Sequence, residues 1–216
     1  MPVKSLHLTA FLFAAAASGL SAQAKPASNT NGSAQSYIVA PDGNEARYRV
    51  REQLAGFDLP KDAVGATNDI KGRIVIGADG RVVKESSKLI IELSTLKSDQ
   101  ARRDNFLRRS TLETSKYPQA ELVPVALEGL LMPIAPGSSQ TFSVRGDLTV
   151  HGATRPTTWQ VTARGEGNGI VGTATTAFTF KDFGLEQPRV PVVLSVADTI
   201  RLEYDFHFVP DTASRN

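Results

Sequence analysis

Few side chains in this sequence have the types and spacing that catalysis or metal binding requires. The 216 residues include three histidines and no cysteine, which excludes thiol catalysis and thiolate metal sites. Beyond residue 24 only His151 and His207 remain, and their wide separation does not suggest a zinc site. Neither a G-x-S-x-G nucleophile elbow nor a phosphate-binding loop is present. We therefore predict no metal, no cofactor and no enzymatic activity.

Four polar residues are nevertheless candidates for contact with the polar part of a ligand: His151, Arg145, Asp182 and Arg103. His151 stands directly before a glycine, and a hydrogen-bonded residue that fixes a turn is the simpler interpretation. Most carboxylates stand beside lysine or arginine on the polar faces of predicted strands. A catalytic pair of buried carboxylates stays open as an alternative, because sequence alone does not show which carboxylates are buried.

The elements that position these residues are segments in which apolar and polar residues alternate. Phe142, Val144, Leu148 and Val150 are spaced by even numbers, and Gly152 then interrupts the pattern. A period of two predicts a β-strand with one inward and one outward face. For any single inward residue a filled core is the simpler interpretation. The inward set is Phe142, Val144, Leu148, Trp159, Val161, Phe178, Phe180, Leu202, Tyr204 and Phe206.

Segments of this kind recur along the chain with turn residues between them, giving eight or nine strands and one clear helix. This pattern predicts an all-β fold, an antiparallel eight-stranded lipocalin-like barrel. Closure of a barrel removes exposed strand edges, and eight strands leave room for one ligand. An immunoglobulin-like sandwich is the alternative, but it usually needs only about 100 residues.

Two segments depart from the strand pattern. Gln53–Asp69 is predicted to be a loop that either caps the mouth of a cavity or packs outside the sheet. Asp99–Arg109 shows helical spacing and carries Arg102, Arg103, Arg108 and Arg109. These arginines form either a solvated helix face or a cationic rim that attracts an anionic head group or phospholipid surface.

The chain is expected to divide into a signal peptide at residues 1–24, a flexible leader at 25–35, one domain at 36–210 and a tail at 211–216. Lys4, the apolar run from Leu8 to Leu20, and Ala22-Gln23-Ala24 fit a cleaved export signal. We therefore expect a periplasmic or extracellular protein. The net charge is only +2, with acidic and basic residues mixed, so nucleic-acid binding is not predicted.

The segment Gly146-Asp147-Leu148-Thr149-Val150-His151-Gly152-Ala153-Thr154-Arg155-Pro156 resembles the signature of YceI-like, polyisoprenoid-binding proteins. Three further blocks fit in the same order. They are Arg103-Asp104-Asn105-Phe106-Leu107, Lys116-Tyr117-Pro118 and Lys181-Asp182-Phe183-Gly184-Leu185. The resemblance extends over about residues 36 to 209.

This resemblance implies a barrel whose interior is a tunnel for an isoprenoid chain, lined by the inward set named above. We therefore expect an exported, non-enzymatic protein that holds a polyprenyl phosphate or a quinone for carriage, storage or stress protection. A lipid-modifying enzyme that uses barrel carboxylates is one alternative. A filled barrel with a structural or interaction role is another. Transient contact with a membrane surface and assembly into a homodimer are left open.

Overall fold

A computed structural model describes residues 33–56, 58–191 and 193–212. The signal peptide and most of the leader expected from the sequence lie outside these residues. The elements are strands β1 (Gln35–Val39), β2 (Glu45–Leu54), β3 (Lys61–Thr67), β4 (Ile70–Ile76), β5 (Lys88–Glu92), β6 (Lys97–Ser98), β7 (Gln119–Glu128), β8 (Ser139–Val150), β9 (Ala153–Glu166), β10 (Gly169–Thr179) and β11 (Val193–Pro210), with helix α1 (Ala101–Phe106) between β6 and β7. Short helical turns occupy Lys84–Ser86, Leu107–Thr111 and Phe180–Phe183.

The strands form one antiparallel sheet that closes on itself. β1 and β2 both pair with β11, and they also pair with β4 and β3 respectively. β5 and β6 in turn pair with β4 and β3. Each of the pairs β1/β2, β3/β4 and β5/β6 is therefore one long strand with a break in it. Counted this way, the sheet has eight strands in sequence order, which confirms the predicted eight-stranded antiparallel barrel.

The three breaks lie side by side. The break between β1 and β2 contains a buried polar residue, Asn44. Its amide nitrogen donates to the carbonyl oxygens of Ala40 and Asp42, each at 2.9 Å. Its amide oxygen accepts from the Tyr204 hydroxyl at 2.9 Å and from the His207 backbone N–H at 3.0 Å. Because every donor and acceptor is used, Asn44 stabilises the break without leaving a buried polar group unpaired.

Connections at the two ends of the barrel differ. The links between β2 and β3, between β6 and β7, between β8 and β9, and between β10 and β11 lie at one end, called here the mouth end. The links between β4 and β5, β7 and β8, and β9 and β10 lie at the other end, together with the start of β1 and the close of β11. Helix α1 therefore covers part of the mouth end.

Side chains fill the barrel at the end away from the mouth; this filled half comprises Phe142, Val161, Ala163, Phe206 and Phe208. The ring centres of Phe206 and Phe208 are 5.4 Å apart, and all five residues are buried. Such close packing of aromatic rings leaves no room for a guest in this half.

The sequence-based boundaries were wrong in two places. Gln53–Asp69 is not one loop, because β2 runs on to Leu54 and β3 occupies Lys61–Thr67. The sequence predicts one strand over Arg81–Leu93, but a helical turn at Lys84–Ser86 precedes β5. The sequence also predicts an edge or bulge position at Pro124, which has no backbone N–H, and the β7–β8 register shifts there.

The domain limits also differ by a few residues from those expected. Gln35, assigned to the leader, begins β1. Asp211, assigned to the tail, is buried. Its backbone N–H donates to the Ser36 carbonyl oxygen at 2.8 Å, and its carboxylate accepts from the Ser36 hydroxyl at 3.3 Å. The ordered domain therefore includes the first residue of the expected tail.

Candidate ligand-binding cavity

An internal cavity of about 630 Å³ occupies the mouth half of the barrel. It is bounded by strand residues, by α1 and the turn after it, and by the segment that leads into β11. Most of the wall is aliphatic or aromatic. The apolar residues that line it include Tyr48, Val50, Leu54, Ala63, Leu89, Ile91, Leu93, Leu96, Phe106, Leu107, Leu112, Ala120, Leu122, Leu148, Val150, Trp159, Phe178, Phe180, Leu185, Val190, Val193, Val196, Ile200, Leu202 and Tyr204.

Strand alternation explains the apolar wall. On β11, Ile200, Leu202 and Tyr204 line the cavity. The intervening Glu203 also borders it, but its carboxylate forms ion pairs with Arg47 and Arg49. Successive side chains of a strand point to opposite faces, so this pattern requires a wet outer face and an apolar inner one. Hydrogen bonding to Arg49 and Arg47 holds the pKa of Glu203 below its usual value.

Trp159 is enclosed in this wall. Only 6% of its surface is exposed, and its indole N–H donates to the Thr157 hydroxyl at 3.0 Å. The buried ring therefore keeps its one polar atom satisfied. Its position makes it an intrinsic reporter for a molecule entering the cavity.

A charged pair lies on the inner face of the wall. Glu52 accepts from Arg103 of α1 at 2.8 Å, and both side chains are largely buried. Arg103 also pairs with Asp99 and donates to the Ser98 hydroxyl at 3.3 Å. This ion pair fastens α1 to β2, because breaking one side of a buried pair leaves an uncompensated charge.

The hydroxyl of Tyr48 lies near this ion pair and is buried without a hydrogen-bond partner. The Tyr48 ring crosses Gly65, where an added Cβ would approach its Cε1 to 2.3 Å. Burial raises the pKa of Tyr48 to about 12. The phenol therefore stays neutral across the physiological range.

The cavity opens at the mouth end, between α1 and the segment that precedes β11. Gln100 and Arg102 line the opening and are exposed. Pro188 and Val190 line it from the other side and are half-buried. The cavity therefore reaches solvent at this end of the barrel.

The structure brings together six of the ten apolar residues proposed from the sequence and separates the others from the cavity. Those that line the cavity are Leu148, Trp159, Phe178, Phe180, Leu202 and Tyr204, together with the polar candidate Arg103. Phe142, Val161 and Phe206 belong to the filled half, and Val144 packs against the core. These four are not among the lining residues, so they are removed from the proposed binding site.

Three of the polar candidates have structural partners outside the cavity. His151 and Gly152 form a two-residue turn between β8 and β9 in which both residues have positive φ, as tight hairpins require. The His151 ring contacts Glu113 at 2.6 Å and packs edge-on against Tyr117.

Arg145 and Asp182 are exposed and lie away from the cavity lining. Arg145 pairs with Glu128 across neighbouring strands. Asp182 accepts hydrogen bonds from the Thr179 backbone N–H and hydroxyl, which lower its pKa and cap the helical turn Phe180–Phe183. Neither residue faces the site that the sequence suggested for it.

Sequence reasoning missed the part of the wall supplied by β2, β5 and α1. Tyr48 and Val50 alternate with arginines and are therefore predicted to share one strand face, but no feature of the sequence shows that this face borders a cavity. Phe106 and Leu107 line the cavity from the helix. Their helical spacing was visible, whereas the direction in which the helix packs depends on the ion pair between Arg103 and Glu52.

The family model for the YceI-like domain matches residues 37–208, which is nearly the whole ordered barrel. This chain belongs to the YceI-like family. A UPF0312 protein of Pseudomonas savastanoi pv. phaseolicola is 34% identical over 166 residues, covering 72% of this chain and 79% of that protein. A UPF0312 protein of Pseudomonas putida strain GB-1 is 35% identical over 113 residues. That alignment spans 48% of this chain and about half, 55%, of the relative.

Solved structures share the fold at low sequence identity. One is a polyisoprenoid binding domain from Saccharophagus degradans, implicated in plant cell wall breakdown. It has a TM-score of 0.66 at 14% identity, and the match covers 82% of this chain and 99% of that one. Another is Burkholderia cenocepacia BcnA, with a TM-score of 0.59 at 15% identity and coverage of 78% and 98%. These solved structures therefore share the fold of this chain.

Among residues 33–56, 58–191 and 193–212, no helix has both the length and the apolar character needed to span a bilayer. Within the same residues, no group of three or more His, Asp or Glu side chains is arranged to hold a metal ion.

Proposed function

We propose that this protein is an exported, non-enzymatic binding protein that holds an isoprenoid lipid, of the quinone or polyprenyl phosphate type, for carriage, storage or stress protection. The observation that carries this proposal is the apolar cavity of about 630 Å³ in the mouth half of the barrel. Cavities of roughly 300–1,000 Å³ with few polar groups typically enclose one small ligand.

The size of the cavity limits how much of such a lipid it holds. A water-sized group occupies about 30 Å³, so about 20 carbon-sized groups, or roughly four isoprene units, fill the space. At about 0.8 kcal/mol per methylene-sized group, their burial contributes on the order of 16 kcal/mol before the cost of ordering the chain. A longer tail must leave part of its length at the mouth.

Membership of the YceI-like family supports the same ligand class. The neighbour from Saccharophagus degradans is itself a polyisoprenoid binding domain, and its barrel superimposes on most of this chain. Because sequence identity is only 14%, the lining residues of the two proteins are not equivalent one by one. The head group and the length of the bound tail are therefore set by the wall of this particular cavity.

The carboxylates near the cavity favour binding over catalysis. Glu52, on the inner face, is paired with Arg103. Glu203, which also borders the cavity, is paired with Arg47 and Arg49 and has a lowered pKa. A general acid or base needs a pKa near the working pH, whereas a carboxylate held ionised by arginine is poorly suited to that role.

Export is the part of the proposal that rests on the sequence alone. The run from Lys4 through the apolar segment to Ala24 has the form of a cleaved signal. N-terminal sequencing of protein recovered from the periplasm or medium is expected to begin at Lys25. Recovery of a mature form that begins at Met1 or Pro2 would contradict export by this signal.

Native mass spectrometry after gentle purification tests ligand binding directly. The parent protein is expected to retain, or take up from added solution, one molecule of an isoprenoid quinone or polyprenol, with a change in Trp159 fluorescence. An apo mass that persists with every isoprenoid added would overturn the proposal. Chemical conversion of the added lipid would instead favour the alternative function, a lipid-modifying enzyme.

A matched pair of variants on β7 tests whether the ligand binds inside the cavity. Ala120 lines the cavity, whereas Val125 lies on the same strand with its side chain partly exposed to solvent. Ala120→Phe places a ring in the empty space and is expected to reduce uptake at least tenfold while the protein stays folded. Val125→Phe is expected to bind as the parent does. Equal uptake by both variants would place the ligand elsewhere.

A further inference from the structure

Two largely exposed leucines lie beside the opening of the cavity. Leu59, in the turn between β2 and β3, is 78% exposed, and Leu194, at the start of β11, is 67% exposed. Leu54 pairs with Val193, so the turn and the start of β11 lie side by side at the mouth end. Large exposed apolar residues on adjoining segments mark a surface that contacts an apolar partner.

The same end of the barrel carries a surplus of positive charge. Between Lys97 and Lys116 there are six basic and three acidic residues, a net charge of +3, in a chain whose total is +2. Arg102 and Arg109 are exposed in this segment, and Arg102 borders the opening. The acidic residues Asp58 and Glu186, in the neighbouring connections, reduce this surplus only in part.

We infer that the mouth end docks on an anionic phospholipid bilayer, with Leu59 and Leu194 inserted at the lipid surface and the segment from Lys97 to Lys116 facing the head groups. This inference rests on the proposed function, because a lipid that enters from a bilayer needs a path that avoids water. Basic residues near an anionic membrane each strengthen binding. Two leucines on short turns form too small a patch for a stable protein–protein interface.

In the proposed orientation on the bilayer, the opening of the cavity faces the lipid. The opening lies between α1, which belongs to the basic segment, and the segment that precedes β11, in which Leu194 is the second residue. A bilayer held against Leu59, Leu194 and Arg109 therefore faces the opening directly. The cargo tail passes from the acyl region into the cavity, and any part too long for the cavity stays in the bilayer until release.

Vesicle flotation tests the docking surface without any cargo. Apo protein is mixed with vesicles of phosphatidylcholine alone or of phosphatidylcholine with phosphatidylglycerol, and the floated fraction is measured. Binding is expected with the anionic vesicles and is expected to fall with added salt, because surface attraction is screened. Absence of binding to both vesicle types, or equal binding to both, would overturn the inference.

Surface variants assign the contact to named residues. Leu59→Asn with Leu194→Asn is expected to weaken vesicle binding at least tenfold, because burial of a single leucine is worth one to two powers of ten. Leu131→Asn is the matched control, since Leu131 is 76% exposed at the opposite end of the barrel. Lys97→Gln with Arg109→Gln is expected to weaken binding to anionic vesicles by roughly tenfold and to change nothing with neutral ones.

A second measurement separates this inference from the proposed function. Uptake of an isoprenoid delivered from detergent solution is followed through Trp159 fluorescence in the Leu59→Asn, Leu194→Asn double variant. Normal uptake from detergent with slowed uptake from anionic vesicles supports docking. Uptake without any vesicle binding by the parent overturns docking and leaves the proposed function intact. Vesicle binding without uptake by the parent overturns the proposed function alone.

Discussion

The two halves of the barrel share their strands but use them differently. In the filled half, Gly172 lies under Phe206, where an added Cβ would come within 2.6 Å of the ring. In the mouth half, the small residues Ala63 and Ala120 face the cavity. A small residue opposite an aromatic ring gives a close-packed layer, whereas a small residue with no ring opposite leaves a space.

What keeps the mouth half open is the way its end is covered. Side chains from β8, β9 and β11 occupy the interior of the filled half. The mouth half is instead covered by α1, which the ion pair between Arg103 and Glu52 holds against β2. Because α1 is fixed to β2, it shields the apolar wall of the cavity from solvent, and side chains do not have to fill the interior.

Removal of one aromatic ring from each half is expected to give the largest difference in lost unfolding free energy between the two halves. Phe206→Ala leaves a new void in packed surroundings and is expected to cost about 3–5 kcal/mol of unfolding free energy. Phe180→Ala only enlarges a space that already exists, so about 2 kcal/mol, close to the transfer term alone, is expected. Urea unfolding measures both. Equal losses would show that Phe180 is as tightly packed as Phe206.

Addition of a methyl group gives the reverse test. At Gly172 an added Cβ would lie 2.2 Å from the Thr162 carbonyl oxygen, so the backbone must move. Gly172→Ala is expected to cost about 3 kcal/mol.

At Gly65 all the nearest atoms belong to the Tyr48 side chain, which has empty cavity beside it. Gly65→Ala is therefore expected to cost about 1 kcal/mol or less, because the ring can swing inward. Thermal unfolding of the two variants, with the parent as reference, decides the outcome. A greater loss at Gly65 would mean that Tyr48 is held rigidly.

The smallest expected effect concerns the outer face, which both halves share. Because Arg49 and Arg47 lower the pKa of Glu203 below 4.5 in the folded protein, its ion pairs stabilise the fold above that pH. The contribution is lost as the pH falls through the folded-state pKa. Glu203→Gln is expected to lose about 0.5–1 kcal/mol at pH 7 and to match the parent at strongly acidic pH. A difference that does not change with pH would exclude the ion pair as its source.

The inward and outward phases were predictable because a strand has a period of two. Trp159, Phe180 and Tyr204 were all assigned to the interior, and each lines the cavity. Phe142 and Phe206 have the same phase but lie in the filled half. Period alone does not give the height of a residue along the barrel axis, which depends on how each strand is displaced relative to its neighbours.

β3 was not predicted because its residues are small and show no β-branched alternation. Ala63, Gly65 and Ala66 have low intrinsic preference for strands. The segment is extended because β2 pairs with it along one edge and β6 along the other. Pairing with a strand on each side overrides local propensity here.

Closure of the barrel has a consequence for the order of folding. The last strand, β11, pairs with β1 and β2, the first two, and supplies Tyr204, Phe206 and Phe208 to the core. Contacts between the two ends of a chain are entropically costly to form and slow folding. A nascent chain emerging amino terminus first therefore lacks both its cavity and its closed sheet until β11 has been made. Synthesis and completion of the binding site are coupled through a single carboxyl-terminal strand.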